Sequence, residues 1–145
     1  MAVRKAKIKA RLDSVVSGML EPGEQVVAST YAQSGPSPWL AGLIGIWIML
    51  LMGTRPYFVV VTDRRVLFVR SSFWMITPRK FAWADPRGSV QVHDAHLDSA
   101  LWGKFRYQRP AGKDLRLNVP RQWREEARTL VQVLTSSSTT SPATT

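Results

Sequence analysis

Apolar positions fall at helical spacing near both ends of the chain and alternate through its middle. Ile8, Leu12, Val15, Val16 and Met19 recur every three or four residues, which predicts an amphipathic helix over residues 1–20. Arg4, Lys5, Lys7, Lys9 and Arg11 fill its front half, and Glu21-Pro22-Gly23 stops it. Short runs rich in β-branched and aromatic residues follow, at 24–32, 57–61, 66–70, 73–83, 89–92 (or 89–95), 101–108 and 114–119. The last is the cleanest: Leu115, Leu117 and Val119 alternate with Arg116 and Asn118, as in a half-buried strand. Turns are predicted at Thr62–Arg65, Asp85–Gly88 and Pro110–Lys113. Pro120 then opens a helix over 120–134, with Trp123, Ala127, Leu130, Val131 and Leu134 on one face and Glu125 and Glu126 in its early turns. The Ser/Thr-rich residues 135–145 read as a disordered tail.

Seven short strands and a closing amphipathic helix predict a mainly β fold, the helix capping one end of a bent antiparallel sheet. Two stretches carry a family resemblance. Leu20-Glu21-Pro22-Gly23-Glu24-Gln25-Val26 resembles the L-x-P-G-E-x-V run that leads into a first strand. Val60-Val61-Thr62-Asp63-Arg64-Arg65-Val66-Leu67-Phe68 resembles the T-D-R-R-hydrophobic hairpin of bacterial pleckstrin-homology (PH)-like and GRAM-type domains. The resemblance spans residues 20–134 and implies a PH-like domain over 21–134, a seven-stranded, partly open barrel. It also implies a lipid-facing end built from the connections between strands 1 and 2, 3 and 4, and 6 and 7. Those regions carry Arg55; Arg70, Phe73 and Trp74; and Arg109 and Lys113. With Arg4, Lys5, Lys7 and Lys9 of the first helix, the basic residues among them are the expected contacts to lipid phosphate. Within the hairpin, Asp63 reads as a turn cap and Arg64 and Arg65 as structural, on opposite faces if the strand is regular.

One segment exceeds the needs of such a domain. Trp39–Met52 has no charged or strongly polar side chain. As a helix it would reach about 21 Å at 1.5 Å per residue, short of a hydrocarbon core of about 30 Å. If the first strand pairs with later ones, both ends of the insertion (38–53) lie on one side of a membrane. Basic residues flank both ends, which also keeps both on the cytoplasmic side. The expectation is an apolar helical insertion between strands 1 and 2, shallow or re-entrant, entering the bilayer through Trp39, Leu40, Leu43, Ile44, Trp47, Ile48 and Leu51. A single transmembrane anchor, a protein interface and a core helix are the other readings.

The net charge of +10 points to an anionic partner, acidic lipid or nucleic acid. The absence of Cys excludes disulfides, thiolate catalysis and Cys-ligated zinc. The basic N-terminus lacks the closely following apolar run of a secretory signal. No Gly-rich phosphate loop, nucleophile elbow or zinc-protease signature is present. His93, Asp94, His96 and Asp98 cluster before Leu101, but on a regular strand the histidines would face opposite ways, so they read as an ordinary polar turn.

The resulting expectation is a non-enzymatic PH-like module without metal or cofactor. It would attach to acidic lipids at the cytoplasmic face of a bacterial cell membrane and recruit or scaffold a protein partner. Two other classes compete: a self-assembling structural protein with the apolar insertion as its oligomer contact, and a basic nucleic-acid-binding protein. No nucleic-acid-binding motif supports the last, and it leaves the insertion unexplained.

Overall fold

The computed structural model describes residues 2–35, 45, 47, 55–72, 78–97, 102–110 and 114–140. Helix α1 (Ala2–Ser17) is followed by β1 (Val26–Ser34), β2 (Arg55–Thr62), β3 (Arg65–Ser71), β4 (Pro78–Pro86), β5 (Gln91–His96), β6 (Trp102–Gln108), β7 (Leu115–Pro120) and α2 (Arg124–Thr140). Short 3-10 turns at Arg87–Ser89 and Arg121–Trp123 lead into β5 and α2. The seven strands form one antiparallel sheet in the order β4-β3-β2-β1-β7-β6-β5, open between β4 and β5 and capped by α2. This is the mainly β architecture expected from the sequence. The expected apolar helix between β1 and β2 falls, apart from Gly45 and Trp47, outside the described residues.

Several boundaries differ from the sequence reading. Asp85 and Pro86 belong to β4, not to a turn, because the ladder with β3 continues to the pair Arg65–Pro86. His93, Asp94 and His96 lie in β5, not in a turn. A bulge there pairs His93 with Arg106 and His96 with Lys104, and Asp94 takes a φ of 54°. The extra residue reverses the alternation, so both histidines share one face. Helix α2 runs six residues past Leu134, to Thr140, while residues 141–145 are not described.

Strand β2 is buried from Pro56 to Thr62, with no exposed alternate face. A near-continuous apolar run signals cover on both sides. The aromatic contacts show it. Tyr31, Phe58 and Trp123 meet at centroid distances of 5.4–6.2 Å. Tyr57, next to Phe58 and so on the opposite face, joins Phe68, Trp83 and Tyr107 in a second cluster. In α2, Ala127, Leu130 and Leu134 are buried in the same core.

The N-terminal helix is part of this core rather than a separate appendage. Leu12 and Val16 are 2% and 1% exposed, with Ile8, Val15, Met19 and Leu20 packed beside them. Each fully buried side chain of this size contributes about 1.5–3 kcal/mol. Polar contacts add to the docking: Lys5 and Lys9 both reach Glu126 Oε1 at the start of α2. Lys5 Nζ also donates to the Gln122 carbonyl (3.0 Å) and lies 5.5 Å from the Trp123 ring centre. Burial raises the Glu126 carboxyl, but the two lysines outweigh it and hold the group below its ordinary value.

The two family-like stretches interlock. Arg65 donates from Nε to Glu24 Oε2 (3.0 Å) and from Nη2 to Glu24 Oε1 (3.1 Å) and to the Met19 carbonyl (2.8 Å). Thr62 Oγ1 donates to Glu24 Oε2 at 2.6 Å and accepts from the backbone N–H groups of Arg64 and Arg65. Asp63 and Gln25 exchange two bonds at 3.1 Å. Arg64 reaches back to Glu21 Oε2 and the Pro22 carbonyl. Thus Arg64, in the turn, and Arg65, in β3, both grip residues 19–24. Gly23 holds φ 81°, a left-handed conformation that favours glycine and lets Glu24 turn inward.

Candidate functional site

The polar groups of interest occupy two regions. At one end of the sheet, β1 finishes with Ser34 opposite Arg55, the first residue of β2, and β3 finishes with Ser71 opposite Pro78, the first of β4. Residues 36–54 and 73–77 therefore connect strands at the same end. Gly35 is anchored there: its N–H donates to the Arg116 carbonyl (3.3 Å), and its carbonyl accepts from Asn118 Nδ2 (3.2 Å). The apolar insertion leaves at Gly35 and returns at Arg55. Of the expected insertion residues, Trp47 is described and is 70% exposed. Trp39, Leu40, Leu43, Ile44, Ile48 and Leu51 lie outside the described residues, as do Phe73 and Trp74. No helix among the described residues is long and apolar enough to cross a membrane.

The second region lies inside the sheet, between β4 and β6. Asp85, 5% exposed, accepts on Oδ2 from the Tyr107 hydroxyl (2.9 Å) and from Trp83 Nε1 (3.2 Å). Arg109 Nε stands 3.5 Å from the same oxygen, and its guanidinium lies 4.8 Å from the Trp83 ring centre. Burial, then the Asp85 bond and charge, push the Tyr107 hydroxyl far above its ordinary value, so it stays a donor. This cluster bridges two strands that share no ladder. Tyr107→Phe is expected to cost about 1–2 kcal/mol in urea unfolding, the loss of one donor to a buried carboxylate; an unchanged midpoint would mean that the bridge contributes nothing. The sequence reading missed the cluster because it placed Asp85 in a turn. The available signal was the alternation Gly103, Phe105, Tyr107, which turns the Tyr107 hydroxyl inward, where it needs a partner.

Of the expected phosphate contacts, three are engaged within the fold. Lys5 and Lys9 converge on Glu126, and Arg109 folds over Trp83. Lys7 is exposed; Arg4 lies in the first turn of α1, its side chain outside the described set, as is Lys113. Arg55 is exposed at the root of the insertion, and Arg70 is half-buried on β3 opposite Tyr57 and Lys80. Among the described residues no three His, Asp or Glu side chains are placed to share a metal ion. In comparisons with known proteins, no family model and no curated protein matches the chain.

Proposed function

We propose that the chain is a non-enzymatic PH-like module that attaches to a membrane face through the apolar segment between β1 and β2 and presents its sheet to a protein partner. The fold is compatible with that family: seven antiparallel strands, an open sheet and a capping C-terminal helix. The observation that carries the reading is the pairing of Ser34 with Arg55, which sets both ends of an uncharged apolar run side by side. A segment with such ends enters and leaves a bilayer on one side. Gly35 and Arg55 are roots on a rigid sheet, and Trp47 offers the amphipathic ring found at membrane interfaces.

The test is co-flotation with vesicles at low and high salt, comparing the full chain with a form lacking residues 38–53. Because Ser34 faces Arg55, a short turn closes the gap, and thermal unfolding checks that the shortened chain folds. Seven Leu and Ile residues at about −0.3 to −0.6 kcal/mol each give about 2–4 kcal/mol at the bilayer centre, an upper bound for a shallow segment, so the deletion should weaken partitioning by up to about a thousandfold. Binding that persists in high salt only with the segment present supports the proposal. A full chain that stays with the unbound fraction on acidic vesicles sinks it. Assembly that rises with protein concentration, without lipid, then favours the segment as an oligomer contact.

A further inference from the structure

We propose that the solvent face of β5–β7 carries a cleft that binds a phosphate group. Two rows of side chains cross this face. In one, His93, Arg106 and Arg116 stand abreast on β5, β6 and β7; in the next stand His96, Lys104 and Asn118. Residues directly opposite in antiparallel strands share a face. The intervening Phe105, Tyr107 and Leu117 are buried, so the two rows lie on the other face, where His93, His96, Lys104 and Arg106 are exposed, Arg116 is half-buried and Asn118 is covered. A cleft of about 200 Å³, lined by Asp94, His96, Lys104, Phe105, Arg106 and Arg116, opens between them. Against the roughly 30 Å³ that a water takes in the liquid, that holds a phosphate with part of its hydration.

The charges are arranged for an anion. Arg106 and Arg116 are directly opposite, an arrangement that destabilises a sheet unless something negative lies between them. Of the two acids nearby, Asp94 lines the cleft with its Oδ2 3.1 Å from His93 Nδ1, and Asp114 Oδ2 lies 4.0 Å from His93 Nε2. Among the described residues Lys104 and Arg106 meet no acceptor. Arg116 gives its Nε to Asn118 Oδ1 (3.2 Å), and the Asn118 amide is fixed by the Gln33 and Gly35 carbonyls. That bond leaves the two NH₂ groups of the Arg116 guanidinium for the oxygens of a ligand, the fork geometry that phosphate favours. The bulge at Asp94 completes the site by bringing His96 to the same face as His93. The site adjoins the root of the apolar insertion, since Arg116 and Asn118 both bond Gly35, but its phosphate chemistry does not depend on membrane attachment.

A soluble phosphate ester and a lipid head group present the same chemistry, so the test has two arms. In the first, amide shifts of the full chain are followed by NMR as inorganic phosphate is added at constant ionic strength. Saturable shifts are expected at Lys104, Arg106 and Arg116. The Arg106→Gln/Arg116→Gln variant should bind about a hundredfold more weakly, about tenfold for each charged hydrogen-bonding group. Its thermal midpoint should not fall, since a like-charged pair has been removed. Arg11→Gln/Arg121→Gln, which removes equal charge elsewhere, should bind as the wild type does. Absence of saturable shifts, or equal loss in both variants, overturns the proposal. The second arm measures flotation with phosphatidylglycerol and phosphatidylcholine vesicles, with inorganic phosphate as competitor. Loss of phosphatidylglycerol binding in the Arg106/Arg116 variant assigns the cleft to a lipid head group. Vesicle binding that is unchanged while inorganic phosphate still saturates the cleft assigns it to a soluble ester.

Discussion

Arg65→Ala is expected to destabilise the fold by about 3–5 kcal/mol, the cost of leaving a buried charge without its partner. The Glu24 side chain is fully buried, and Arg65 supplies two of its hydrogen bonds. The same variant frees the Met19 carbonyl at the end of the first helix. Urea unfolding at neutral pH reads the loss directly. A change below about 1 kcal/mol, the value of an exposed pair, would show that the interlock is not a stabilising element.

The pH dependence carries the same information. The Arg65 hydrogen bonds, against the opposing effect of burial, hold the Glu24 carboxyl at about 2 in the folded chain, from an ordinary value of 4.5. The folded value is the lower one, so the contribution is fully present above pH 4.5 and disappears as pH falls toward 2. Its size is on the order of 3 kcal/mol, at about 1.4 kcal/mol per pH unit. Glu126, held below its ordinary value mainly by Lys5 and Lys9 against burial, adds a contribution of the same sign. Glu24→Gln should therefore lower stability at pH 7 and flatten the acid limb between pH 4.5 and 2.

Trp123→Ala is expected to cost about 3–5 kcal/mol, the range for removing a large buried aromatic. Trp123 is 1% exposed and packs on Tyr31 and Phe58, while Lys5 of α1 lies near its ring. Its carbonyl also accepts from Thr30 Oγ1. Loss of this side chain removes a contact shared by β1, β2, α1 and the start of α2. Near-ultraviolet circular dichroism and urea unfolding together check it. A loss under about 1 kcal/mol would mean that the surrounding side chains close the cavity, contrary to the close packing of these rings.

Much of the architecture was legible in local sequence because its signals are local. Leu115, Leu117 and Val119 alternate in the sequence and are inward or half-buried in β7. Leu12 and Val16 show the helical spacing that their burial requires, although spacing alone could not say whether a membrane or the protein covers that face. The bulge in β5 was not legible, because one unpaired residue leaves no mark on composition, yet it decides which way two histidines face. The sequence places Arg109 among the expected lipid-phosphate contacts; its stacking on Trp83 comes from a strand far away in the chain.

The sequence by itself determined that this is a mainly β chain with a helix at each end, a strongly basic balance, an uncharged apolar run between the first two strands and no thiol chemistry. Periodicity and composition are properties of neighbouring residues, so they survive without knowledge of the fold. Only the tertiary structure decided the pairings: Glu24 with Arg65, Asp85 with Tyr107, Lys5 and Lys9 with Glu126, and Arg106 opposite Arg116. A charge has no partner until strand register and helix docking bring distant residues within a few ångströms. For that reason a net charge of +10 could announce an anionic partner without saying which cations are already engaged.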